Sequence, residues 1–218
     1  MASSLTQEKI MEVLEWGYEK AVNGIPGLDS AKELANDYAK QGGTPIEQAN
    51  SLIRWQNAKA GTSGFLTGLG GLITLPIAIP ANIASVLYVQ IRMIAAIAHL
   101  GGYDISDDRV KTMVFATLTG DSAKEVLKDI GIAVGKKVAL SAINKISGAT
   151  ITKINQAVGF RLLTKFGTTG IINLGKMVPV LGGVVGATFD SVATNIVGNT
   201  ARNIFIGQET PAGEATAA

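Results

Sequence analysis

Few residues in this 218-residue chain have types and spacings that could do chemistry, and they narrow it by what they lack. His99 is the only histidine and there is no cysteine, which excludes a multi-histidine or thiolate metal site within one chain, disulfides and cysteine nucleophiles. His99 with Asp104 five residues on could move a proton. The plainer reading is a histidine near a helix C-terminus, where positive charge is tolerated. A phosphate loop needs G-x-x-x-x-G-K-[ST], so that backbone amides wrap the phosphates and the hydroxyl reaches magnesium. The closest run, GIAVGKK from Gly131 to Lys137, is one residue short and lacks the hydroxyl. Gly68, Gly70 and Gly71 miss the dinucleotide spacing, and Gly61-Thr-Ser-Gly64 is not a nucleophile elbow. The expectation is a non-enzymatic protein with no cofactor and no metal.

One charge pair has more to say. Residues 60–103 form a 44-residue block whose only charge is Arg92, and Asp190 is the one acid of a second apolar segment from Met177 to Phe205. A charge in such surroundings is expensive unless paired. The expectation is that the two segments pack together and that Arg92 bridges to Asp190 as a buried, structural ion pair.

The elements that would position this pair are helices. Ser4 with Gln7 reads as a capping box before an amphipathic helix with Ile10, Leu14, Tyr18 and Ala21 on its apolar face. Ser30 with Glu33 opens a second, bearing Leu34, Ala35 and Tyr38 and stopped by Gly42 and Gly43. Thr44, Pro45 and Glu47 form a cap, a first-position proline and a third-position acid, starting a helix with Ile46, Leu52, Ile53 and Trp55. In the apolar block, Gly61, Gly64, Gly68 and Gly71 recur at steps of three and four, which lets helices approach closely. Pro76 and Pro80 prevent one straight helix through the block, so it reads as a helix, a proline-bent turn and a helix from Ala81 to Leu100, ended by Gly101 and Gly102. A helix over 106–120 follows, with Asp107 and Asp108 in its first turn. The second apolar segment carries Gly182 and Gly186 four apart, and Ser191, Asn195, Asn199 and Arg202 line one side of it. No strand pattern of useful length occurs. The fold class is all-α: a single multi-helix bundle with two glycine-rich apolar segments packed at its centre. The chain divides into amphipathic N-terminal helices over 1–60, a helical core over 61–206 and a disordered tail over 207–218.

Hydrophobic residues make up 47% and charged residues 17%, below the roughly 25% charged of average soluble proteins, so a large apolar surface needs either a core or a bilayer. The polar, acidic start MASSLTQEKIMEVLEW argues against a secretory signal. The net charge of +2 hides an asymmetry: from Ile130 to Phe189 there is no acid but seven bases, among them Lys136, Lys137, Lys145, Lys153, Arg161 and Lys165. That stretch suits an anionic partner such as lipid headgroups, or is simply a solvated basic face. Nucleic acid fits less well, because aromatic residues for base stacking are almost absent from it.

The run SLIRWQNAKAGTSGFLTGLGGLITLPIAIPANIASVLYVQIRMIAAIAHLGGYD, the later LTG at Leu118 to Gly120 and the closing KMVPVLGGVVGATFD resemble the EcsC family over about residues 30–205. The resemblance implies a bacterial, mostly helical protein, cytoplasmic or at the inner face of the membrane, with no established activity. Many relatives carry an acid between the two prolines, where this chain has Ile77, Ala78 and Ile79. Two readings stand together. One is a membrane-associated helical protein, peripheral at or hairpin-inserted into the cytoplasmic face. The other is a soluble cytoplasmic interaction module whose apolar segments are the core of one bundle and whose basic face binds a protein or nothing in particular.

Overall fold

The computed structural model describes residues 5–60, 81–129, 131–132, 137–166 and 184–207, and for 59–60, 81–82 and 184–191 the backbone alone. Local signals set the helix starts. The first helix, α1 (Gln7–Asn23), is capped by Thr6, whose Oγ1 accepts from the Lys9 amide at 3.3 Å. Thr6 therefore takes the place expected of Ser4. Gln7 is not free to reach back in a capping box, because its amide donates to the Gln156 carbonyl oxygen at 3.0 Å. The second helix, α2 (Ala31–Ala39), has the full reciprocal box: Glu33 N to Ser30 Oγ at 3.2 Å and Ser30 N to Glu33 Oε2 at 2.8 Å. The Ser30 backbone and hydroxyl donors hold the Glu33 carboxyl below its ordinary range. Ser30→Ala removes this cap and should cost about 1 kcal/mol. A thermal midpoint lower by about 2–4 °C is the expected reading for a chain of this size; an unchanged midpoint would mean that the cap contributes nothing. The third helix, α3 (Pro45–Ala60), starts as its sequence predicts, with Thr44 N to Glu47 Oε2 at 2.7 Å.

The apolar helix α4 (Ala81–Leu100) is the centre of the molecule. Its stretch Ile83–Leu100 has a mean hydropathy of 1.7, and 83% of it is buried by the rest of the chain. A helix apolar on every side must be surrounded, and α4 is: α1, α2, α3, α5 (Asp108–Thr117) and α9 (Val184–Phe205) all pack on it. Between α5 and α9 come a 3-10 turn at Gly120–Ser122, then α6 (Ala123–Asp129), α7 (Leu140–Ile143) and α8 (Gly148–Phe166). Helix α5 is shorter than expected because Asp107 is its cap, accepting from the Arg109 amide at 2.8 Å. Among the described residues there is no strand, and the architecture is all-α, as the sequence leads one to expect.

Small residues set the closest approaches. A Cβ on Gly17 of α1 would lie 3.0 Å from Ile91 of α4, and one on Gly198 of α9 would lie 2.8 Å from Ile53 of α3. The expected packing positions Gly64, Gly68, Gly71, Pro76, Pro80 and Gly182 lie outside the described residues, and so do the first helix and the turn of the expected hairpin, whose second helix is α4. Gly186 is in α9, in the part described by backbone alone. The polar side of α9 meets α3: Asn57 donates to Asn195 at 3.0 Å, Asn199 donates to Asn195 at 3.2 Å, and Arg202 donates to Asn50.

Candidate functional site

Arg92 is 6% exposed, yet none of its nitrogens makes a hydrogen bond among the described residues, and its Nε is sealed from water without an acceptor. Its nearest described carboxylate is Asp29, with Nη2 to Oδ2 at 4.0 Å, and that side chain is 63% exposed. Burial works against the Arg92 charge and lowers its pKa; Tyr88, Asp29, Glu33 and Tyr38 pull the other way. The helix geometry explains its direction. Gln90, two residues earlier, donates to Thr194 of α9 at 3.4 Å. Two residues along a helix turn a side chain by about 200°, so Arg92 faces the opposite flank, where α2 and α3 lie. There it lines a cleft of about 590 Å³ together with Asp29, Asp37, Tyr38, Trp55 and Gln56. The two apolar segments do pack, α4 on α9, but the Asp190 side chain lies outside the described residues, and the polar link seen between these helices is Gln90 to Thr194.

The basic stretch forms a second candidate surface. Lys137, Lys145 and Lys153 are exposed and make no ion pair among the described residues. Helix α8 buries Ile154, Val158 and Leu162, and through Gly159 sits on the Gln7 side chain. Its opposite side carries Lys153, Gln156, Phe160 and Thr164 at steps of three and four. Phe160 is 64% exposed and Leu140, between Lys137 and Lys145, is 51% exposed. Arg161 is partly neutralised by Glu125 at 3.4 Å, and the Lys165 ammonium lies 5.4 Å from the centre of the Phe166 ring. Beside Phe160 is a groove of about 560 Å³ lined by Thr119, Ser122, Arg161, Thr164 and Lys165. Lys136 lies outside the described residues.

A family model described as the EcsC protein family matches residues 5–206, well over half of the chain. The chain belongs to the EcsC family. No curated protein and no solved structure matches it. The EcsC match begins at residue 5, so α1 and α2 belong to the family unit as much as the apolar block does, whereas the resemblance read from sequence started near residue 30. That agrees with the packing, in which both helices rest on α4. In this EcsC chain no group of three or more His, Asp or Glu side chains that could hold a metal occurs among the described residues. His99 is half-buried, and its pKa is lowered by burial first and by Lys32 second. Asp104 is engaged by Ser106, whose hydroxyl donates at 2.7 Å and whose amide donates at 2.9 Å.

Sequence reasoning missed Gln56 altogether. It is 3% exposed, with Oε1 buried and unpartnered, and it lines the Arg92 cleft. Its position on the inner side of α3, next to Leu52 and Ile53, is the only sequence-level sign that a polar residue faces inward there.

Proposed function

We propose that this EcsC protein is a peripheral, non-enzymatic protein of an anionic membrane surface, docking from the cytoplasmic side through the α7–α8 face. One observation carries the reading. Four large hydrophobic side chains stand exposed among the described residues, and two of them, Leu140 and Phe160, lie in the stretch that has seven bases and no acid. Apolar side chains set among lysines are the composition of a helix that lies in a membrane interface, the cations at the headgroups and the rings below them. Each Lys or Arg near an anionic surface contributes about 1 kcal/mol, and the attraction falls away within a Debye length. The burial of α4 favours the peripheral form over hairpin insertion, since its apolar surface is already covered by protein.

Sedimentation with phosphatidylcholine vesicles, with and without phosphatidylglycerol, tests the proposal. Binding is expected only with the anionic lipid and is expected to fall as salt rises. Phe160→Ser should weaken it about tenfold or more, from the loss of a buried ring worth about 1.5–3 kcal/mol. Lys153→Glu should weaken it as well. Equal binding to neutral vesicles would overturn the electrostatic part, and retention through a carbonate wash would point to insertion. No binding at all would leave the soluble interaction module as the reading to pursue.

A further inference from the structure

We propose that the cleft between α2, α3 and α4 is a binding site for a small zwitterion, its oxyanion held by Arg92 and its ammonium end held by Asp29, Asp37 and the aromatic wall. The inference is independent of the membrane-facing surface and rests on three observations.

The first is a built polar floor. Arg92 and Gln56 are each more than nine-tenths buried, and each has a polar atom without a partner, Nε and Oε1. Folded chains satisfy nearly all their buried polar groups, so two orphans in one cleft need a reason. Both atoms are closed to solvent as the cleft stands, so a bound molecule supplies one only as these two side chains turn outward. An oxyanion then accepts from the guanidinium, whose planar fork matches a carboxylate or phosphate, and an N–H donates to the Gln56 amide oxygen. Arg92 has donors to spare, because Asp29 stands beyond hydrogen-bond distance at 4.0 Å.

The second observation is space. The volume of about 590 Å³ lies within the range of roughly 300–1,000 Å³ of small-molecule pockets.

The third is charge, and it selects the ligand class. Asp29 and Asp37 line the same cleft as the single cation Arg92, and Glu33 is near enough to act on the Arg92 charge. Asp37 shares its charge with Lys40 at 3.0 Å. A dianion such as inorganic phosphate would meet one cation and a surplus of carboxylates. A molecule that brings its own ammonium group turns those carboxylates into partners. Trp55, which is 53% exposed, and Tyr38 line the same cleft, and aromatic side chains attract a cation. An amino acid and the phosphoethanolamine headgroup of a lipid share this chemistry.

Titration calorimetry on the full chain tests the assignment, with γ-aminobutyrate and O-phosphoethanolamine as zwitterions and with acetate, inorganic phosphate and ethylamine as half-ligands. Saturable binding is expected for at least one zwitterion, at least tenfold tighter than for any half-ligand. Preference for γ-aminobutyrate would indicate a free amino acid, and preference for phosphoethanolamine a headgroup. Arg92→Met should abolish the binding, and the rim variant Asp37→Asn, at an exposed position, should weaken it several-fold. Absence of binding by both zwitterions, half-ligands that bind as tightly, or binding that survives Arg92→Met would each overturn the proposal.

Discussion

Phe205→Ala is expected to cost about 3–5 kcal/mol, the range for removing a large aromatic side chain from a core. Phe205 is fully buried at the last position of α9, and its ring meets Tyr103 edge-on at 5.2 Å. The Tyr103 hydroxyl donates to the Val138 carbonyl oxygen, and the Val138 amide donates to the Ile204 carbonyl oxygen at 2.9 Å. Phe205 also touches the end of α4 through its own backbone: a Cβ on Gly101 would lie 2.5 Å from the Phe205 carbonyl oxygen. The ring thus packs on Tyr103 where the ends of α4 and α9 meet the segment leading into α7. Domains are stable by only about 5–15 kcal/mol, so the loss is a large share of the total. Denaturant unfolding with an unchanged slope should show it. A loss under about 1 kcal/mol would mean that the cavity collapses around Tyr103 at little cost.

Arg92→Met is expected to act in the opposite direction and raise stability, by about 1–4 kcal/mol. Arg92 is taken almost wholly out of water, yet its nearest described carboxylate stands 4.0 Å away and is mostly solvated. Coulomb attraction at that distance and exposure is weak, while the desolvation cost of the cation remains. Methionine keeps much of the aliphatic stem and its packing and dispenses with the charge. The same denaturant experiment decides it. A variant less stable than the native chain would show that the pull of Asp29 and its neighbours exceeds the cost of burial. A gain, together with loss of zwitterion binding, would mark Arg92 as a residue retained at the expense of stability, which is how binding sites often differ from cores.

These two expectations depend on unequal legibility. Helix starts are local chemistry: Ser30 with Glu33 and Thr44 with Glu47 lie three residues apart, and the structure contains both bonds. The end of α4 at Gly101 and the inward faces of Ile10, Leu14 and Tyr18 were equally readable, because period and punctuation are written along the chain. What Arg92 faces was not. Its flank depends on which helices surround α4, and that order comes from packing between residues dozens of positions apart. The same holds for Gly17 and Gly198. Each looks like an isolated glycine in a helix, and each becomes a contact point only when Ile91 or Ile53 is set against it. The basic run was legible as composition, but its division into exposed Lys153 and paired Arg161 depends on Glu125, 36 residues away.

The position of α4 has a consequence for how the molecule opens. Five helices share it as their common wall, so withdrawing it uncovers the inner side of each of them, although α3 and α9 also pack on one another. Its backbone amides should therefore exchange with solvent only when the whole chain unfolds, while helices at the periphery open in smaller units. Release of α4 to any outside acceptor is then not the motion of a hinge but the dismantling of the bundle.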